Sequence, residues 1–256
     1  MNKNQQIYES EKVVRNYKRL NKLYPAEKIL YEIVKNKQIR KTMLDLGIGT
    51  GRTTIFFQPL FNHYIGIDFS SGMIDVCRKR FTNLTNTEFI NADAASMPEL
   101  PVKKFDFILF SLNGIDYLKN LEERKNLLSN IYSLLDNNGF FAFSTHNTKT
   151  LARLYSFQLP KRNPFRIITE YFRYKKLRKI NGSAPEFLNK EFCQLYDGGE
   201  YFNALTSYIL PSYQLTILKN SGFKEIQTID IKGNIIPIDK VDSCEDNWIH
   251  YLCYKN

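Results

Sequence analysis

Metal-ligating residues are scarce in this 256-residue chain, which has four cysteines and three histidines. Cys77, Cys193, Cys244 and Cys253 form no C-x-x-C pair, and no histidine spacing suits zinc, so the reading is that no metal is bound. Long apolar runs are missing too: no window approaches the roughly 18 residues a spanning helix needs. Met1 to Gln6 lack the apolar segment of a signal peptide, and a cytoplasmic protein with reduced thiols is expected. Neither an internal repeat nor a biased tract interrupts the chain. What is present is ordinary for a globular fold: 43% hydrophobic, 14% aromatic and 24% charged residues.

The net charge of +10 is uneven. Residues 1–41 hold 11 basic and 4 acidic side chains, and residues 149–190 hold 11 and 2. An anionic partner and plain solvated helix faces are both consistent with this pattern.

From residue 42 to 146 short apolar runs alternate with helical patterns, which predicts βα units and a parallel sheet. Strands are expected at 42–46, 64–68, 88–91, 105–111 and 140–145, the last after a turn at Asn138-Gly139. Helices are expected from about Arg52, from Ser71, and over 121–135. Beyond Thr148 the alternation stops. Helical patterns near 151–157 and 165–179 are separated by Pro160 and Pro164, and Gly182 to Pro185 reads as a loop. Residues 192–196 and 201–209 suggest a hairpin around Asp197-Gly198-Gly199, then come a helix from Pro211 to Asn220 and strands at 225–231 and 248–254. The expected architecture is α/β: a Rossmann-like, seven-stranded, mostly parallel sheet with helices on both faces and an antiparallel C-terminal hairpin. Its parts are a core at 1–147, an inserted α+β cap at 148–210, and a completing segment at 211–256.

Leu44-Asp45-Leu46-Gly47-Ile48-Gly49-Thr50-Gly51 places alternate glycines directly after a strand and at the mouth of a helix. Such a loop lets the backbone turn sharply and approach a ligand. Asp68 ends the second strand, 21 positions after Gly47, where a carboxylate can accept both hydroxyls of a ribose. A dinucleotide fingerprint would need glycine at position 52, and the chain has Arg52.

At these residues the sequence resembles the class I S-adenosylmethionine-dependent methyltransferases, whose D/E-x-G-x-G-x-G motif is matched by Asp45, Gly47, Gly49 and Gly51. Their second motif is similar to Gly66 to Met73 and their third to Asn91-Ala92-Asp93-Ala94. The resemblance implies S-adenosylmethionine as cofactor and S-adenosylhomocysteine as product. By it the glycine loop faces the methionine end, Asp68 holds the ribose, and Phe69 and Met73 lie near the adenine. Asp93 accepts from the adenine amine, the Ala94 amide serves a ring nitrogen, and Ser111 and Leu112 present backbone groups to the amino acid part. N-terminal helices containing Tyr8 and Tyr17 lie across the cofactor, and Arg52 pairs with its carboxylate or caps the helix surface.

Transfer from a sulfonium demands mainly orientation of the acceptor and a dry site. A hydroxyl acceptor also benefits from a general base. His146, ending the fifth strand, is placed either as that base or as a strand-end anchor. Asn113 is a second catalytic candidate, for positioning, and the N-x-P-Y and D-P-P-Y patterns of base and glutamine methylation are absent around it. Tyr117, Tyr201, Tyr208 and Tyr213 are candidates for an acceptor pocket. Arg173, Lys175, Lys176, Arg178 and Lys179 beside Phe165, Tyr171 and Phe172 suit phosphates and stacked bases or form a solvated cap helix. A finer similarity to bacterial small-molecule and polysaccharide-pathway methyltransferases makes a hydroxyl or amine of a small molecule or glycan precursor the expected acceptor. The alternatives are an RNA methyltransferase and a non-catalytic cofactor-binding subunit; oligomeric state is left open.

Overall fold

The computed structural model describes residues 3–37, 41–157, 166–183 and 185–255. Among the described residues ten strands form one sheet: β1 (Thr42–Leu46), β2 (His63–Asp68), β3 (Thr87–Asn91), β4 (Phe105–Phe110), β5 (Leu135–Asn147), β6 (Phe192–Leu195), β7 (Thr206–Ile209), β8 (Glu225–Ile229), β9 (Ile235–Ile236) and β10 (Trp248–Tyr254). The main order is β3-β2-β1-β4-β5-β10-β8-β9. The first five pair in parallel, and β10 runs antiparallel between β5 and β8.

Alternate residues of each central strand enter two separate cores, as the period of two requires. Leu44, Ile65, Ile108 and Phe141 pack on one face, while Met43, Tyr64, Phe107 and Phe140 pack on the other. Helix α6 (Leu121–Leu134) covers the first face with Leu127, Leu128 and Ile131. Its start is fixed by the Asn120 side chain, which accepts from the Glu123 amide at 2.9 Å. The second face is covered by α3 (Pro25–Asn36), α4 (Thr54–Phe57) and α5 (Ser71–Arg80). Two further helices precede these, α1 (Lys3–Tyr8) and α2 (Glu11–Tyr17).

A seven-stranded sheet is expected from the sequence, and among the described residues ten strands join it. β3-β2-β1-β4-β5-β10-β8 make up the expected seven; β9 adds two residues, and β6 and β7 join the same sheet. β7 pairs in parallel with the end of β5, His146 opposite Tyr208, so the hairpin of 192–209 extends the sheet from its carboxyl edge. Its second strand begins at Thr206 instead of Tyr201, because Glu200, Tyr201 and Phe202 all adopt positive φ and cannot continue a strand. The Asn138-Gly139 turn is absorbed into β5, where Asn138 takes φ 63° and the pairing with β4 shifts register. The helix expected from Arg52 is four residues long and passes at Pro59 into a 3-10 turn.

The segment between β5 and β6 carries α7 (Leu151–Leu154), α8 (Arg166–Asn181) and α9 (Pro185–Leu188). Pro160, Pro164, Phe165 and Ala184, used above to divide this segment, lie outside the described residues. After β7, α10 (Pro211–Asn220) ends at Gly222, whose φ of 109° suits only glycine there. Among the described residues, no helix is long and apolar enough to cross a membrane.

Candidate active site

The turn after β1 is left-handed at Gly47 and Gly49, with φ of 61° and 58°. A Cβ at Gly47 would also lie 2.7 Å from the Phe110 ring, whereas one at Gly49 would meet only Tyr17, at 3.5 Å. Gly49 is therefore less crowded than Gly47, its nearest neighbour being the Tyr17 ring, and a ligand can approach its backbone. Its amide donates to Oδ2 of Asp68 at 2.8 Å, and the Ser70 amide donates to Oδ1 at 2.9 Å. Each carboxylate oxygen keeps a further lone pair. Burial pushes the Asp68 carboxyl up to about 6, with those two backbone bonds opposing the rise.

Asp45 lies beneath this loop. It is fully buried and accepts from Thr53 Oγ1 and from Tyr64 Oη, the latter at 2.6 Å. Burial lifts its carboxyl to about 6, and its Oδ1 has no partner. Asp45 and Gly51 do not line the cleft above the loop, so their part is to shape the turn from below. Gly51 is pressed against Phe81, whose ring would lie 2.3 Å from an added Cβ.

The cleft has about 1150 Å³ of space open to solvent. Gly47, Gly49 and Arg52 line it from the loop, Asp68, Phe69 and Met73 from the end of β2, and Asp93 and Ala94 from the end of β3. Ser111, Leu112 and Tyr117 line it from the end of β4, and Tyr17 from α2. Most of the expected cofactor residues thus converge on one space at the carboxyl ends of parallel strands, the place where open α/β sheets bind ligands. The same space suits S-adenosylmethionine: an acidic acceptor at its centre, a glycine backbone on one side, and the apolar Phe69, Met73 and Ala94 beside Asp93 on another. Asp93 Oδ1 also accepts from the Ala95 amide at 2.9 Å, bracing the turn.

Arg52 neither extends over the helix surface nor stands free. It forms two 2.6 Å bonds to the Glu27 carboxylate and a third, at 3.1 Å, to Ser111 Oγ. Tyr8, Tyr17, Phe69 and Tyr117 make edge-on ring contacts around Tyr8, at centroid separations of 5.9, 6.0 and 5.2 Å. Burial, with the neighbouring Tyr17 and Tyr117 adding to it, raises the Tyr8 phenol well above its ordinary range, so this wall is uncharged.

Other expected residues lie elsewhere. Asn113 takes φ 58° and donates its amide to Ser144 Oγ; its side chain is buried and does not face the cleft. His146 and Tyr208 line a second cavity, with about 860 Å³ of space open to solvent. Tyr201 and Tyr213 reach neither cavity: Tyr201 is 67% exposed under Lys12, and Tyr213 packs against the core from α10. The left-handed turn at 200–202 swings Tyr201 outward, and the first turn of α10 directs Tyr213 inward.

Three residues with no assigned part in the sequence reading prove central. Glu27 holds Arg52, Asp116 holds His146, and Asn4 bridges the N-terminal helices to the 196–205 loop. Asn4 Nδ2 donates to the Leu205 carbonyl at 3.0 Å, and the Leu205 amide donates back to Oδ1 at 2.9 Å. No periodicity or spacing marks these pairs in the sequence.

Comparison with known proteins agrees with this geometry. Residues 43–139 match the methyltransferase domain family. CRG1 of Saccharomyces cerevisiae, named for S-adenosylmethionine-dependent methyl transfer, is 33% identical over 133 residues, half of this chain and 43% of that one. This chain thus spans less than half the length of the yeast relative. The demethylmenaquinone methyltransferase of Clavibacter sepedonicus is 29% identical over 201 residues, covering 77% of this chain and 71% of its own. Among solved structures, the CcbJ methyltransferase of Streptomyces caelestis superposes with a TM-score of 0.66 at 14% identity, covering 100% of this chain and 99% of that chain, a likeness of fold.

Proposed function

We propose that this chain is a class I, Rossmann-like S-adenosylmethionine-dependent methyltransferase, a reading supported by the matched methyltransferase domain and the relatives named above, and that it transfers a methyl group to a hydroxyl or amine of a small molecule or glycan precursor. When bound, S-adenosylmethionine supplies both the methyl group and a thioether leaving group. The chain's residues have the remaining tasks. Asp68 receives the ribose hydroxyls, the Gly47–Gly49 backbone fits the amino acid end, and the ring cluster around Tyr8 excludes water, which strengthens every polar contact inside.

The observation that carries the acceptor reading is the Asn4 tie. It fastens the N-terminal helices to Leu205 and, at 3.4 Å, to the carbonyl of Tyr117, so the mouth of the cleft is bridged. A bridged mouth suits a small acceptor better than a folded polymer. One feature favours RNA as the second reading: the outer side of α8 exposes Lys175, Lys176, Arg178 and Lys179. The test is transfer of labelled methyl from S-adenosylmethionine into a fractionated cell extract. Label in small molecules that survives nuclease supports the proposal; nuclease-sensitive label, with transfer falling steeply as salt rises, supports RNA.

A further inference from the structure

Helix α8 turns one whole side to solvent. Of its residues only Leu177 is buried, packed with Leu151, Tyr155 and Leu195, and Asn181 anchors the last turn by donating to the Tyr196 carbonyl at 2.9 Å. Glu170, Arg173 and Tyr174 share that inner side by their spacing and are partly covered. Ile168, Tyr171, Phe172, Lys175 and Lys179 lie three or four apart on the opposite side and are exposed. Ile168 is 66% exposed and Phe172 65%, with the Phe172 ring in edge-on contact with Tyr171 at 5.9 Å.

Charge gathers on the same side. The helix carries six basic residues against Glu170 alone, and Arg173 is paired with that carboxylate. Lys175, Lys176, Arg178 and Lys179 are exposed, and their contacts are with uncharged groups. Lys176 donates to the Tyr201 carbonyl at 3.3 Å, Arg178 donates to Tyr174 Oη, and Lys175 lies 5.5 Å from the centre of the Tyr171 ring. One exposed helix side is therefore apolar in its first half and cationic in its second.

We propose that this side of α8 docks on the surface of a lipid bilayer containing anionic headgroups. Ile168, Tyr171 and Phe172 enter the boundary between headgroups and acyl chains, and Lys175, Lys176, Arg178 and Lys179 meet the lipid phosphates. Lysine stems are long enough to lie along the apolar layer while their ammonium groups stay at the phosphates. The attachment is peripheral and does not depend on which acceptor is methylated. Two observations favour a bilayer over other occupants. An RNA strand is met by cations and by rings on which bases stack, and Ile168, as exposed as Phe172, has no ring to offer. A second copy joined symmetrically through this side would set its cations against their own copies, and Glu170, the helix's single carboxylate, lies on the inner side.

The test is co-sedimentation of the purified chain with vesicles in the absence of cofactor. Vesicles of phosphatidylcholine with roughly a quarter phosphatidylglycerol should bind at least about tenfold more tightly than phosphatidylcholine alone, and binding should fall as salt rises. Ile168→Ser alters neither charge nor any ring and should weaken vesicle binding about tenfold. Lys175→Glu combined with Lys179→Glu should remove the preference for phosphatidylglycerol. Both variants replace exposed side chains away from the cleft, so melting temperature and cofactor affinity should match wild type. Equal binding to the two vesicle types, binding to neither, or full binding by Ile168→Ser overturns the proposal. A single-stranded oligoribonucleotide is titrated in parallel: RNA bound while vesicles are not, unaffected by Ile168→Ser and lost in the lysine variant, gives the face to RNA. A wild-type dimer that Ile168→Ser dissociates in sedimentation velocity gives it to a second copy. None of these readouts uses methyl transfer, so failure here leaves the cofactor cleft as described, and failure to bind S-adenosylmethionine leaves this surface as proposed.

Discussion

The amide of Gly49 and the carboxylate of Asp68 are joined by a 2.8 Å hydrogen bond, so the loop after β1 and the end of β2 are set relative to each other before any ligand arrives. A preorganised acceptor spends less of its binding energy on ordering itself. The same bond explains why a carboxylate with only 7% of its surface exposed is tolerated at this place: its charge is met by backbone donors.

Asp68 titrates near 6 because it is buried. Cofactor binding that uses the ionised form should weaken as pH falls below about 6, toward tenfold per unit. Folding responds with the opposite sign. A carboxyl raised above its unfolded value of about 4 favours the folded state while protonated, and that contribution is lost as pH rises through about 6. Denaturation of wild type and Asp68→Asn at several pH values should therefore show the difference moving in the variant's favour between pH 4 and 6.5. A difference that stays flat would contradict the shifted carboxyl.

Glu27→Ala should destabilise the fold by about 3 to 5 kcal/mol, because it strands the Arg52 guanidinium, whose side chain is 6% exposed. Urea midpoints measure this. Replacing both residues with methionine should recover most of the loss, and a double variant as unstable as the single one would show that the pair itself, not the stranded charge, carries the effect.

Asn4→Ala removes both bonds to Leu205. Amide exchange at Leu205 should quicken, and cofactor dissociation should rise by about tenfold, with the melting temperature nearly unchanged. Stopped-flow dissociation that matches wild type would mean the tie does not govern the mouth.

What was legible in the sequence is what is local. The glycine loop, Asp68, Asp93 and the strand boundaries of β1, β2 and β10 depend on residues close together in the chain, where turn chemistry and alternating apolar runs leave a signature. The pairs that complete the two cavities do not. Arg52 and Glu27 are 25 residues apart, His146 and Asp116 30, and Asn4 and Leu205 201, and each is made only by the tertiary fold. Tyr201 shows the opposite failure: an aromatic with strand propensity lies in a left-handed turn, because tertiary context overrides propensity. The sheet is larger than expected for a related reason, since the short β7 joins it by pairing with the end of β5 and brings β6 with it.

The measurement closest to the central claim is calorimetric titration of the purified chain with S-adenosylmethionine, beside the Asp68→Ala variant. The account predicts saturable one-to-one binding to wild type and an affinity at least tenfold weaker in the variant, about 1.4 kcal/mol or more. Equal affinity in the two proteins, or no binding to wild type, would contradict the assignment of this cleft.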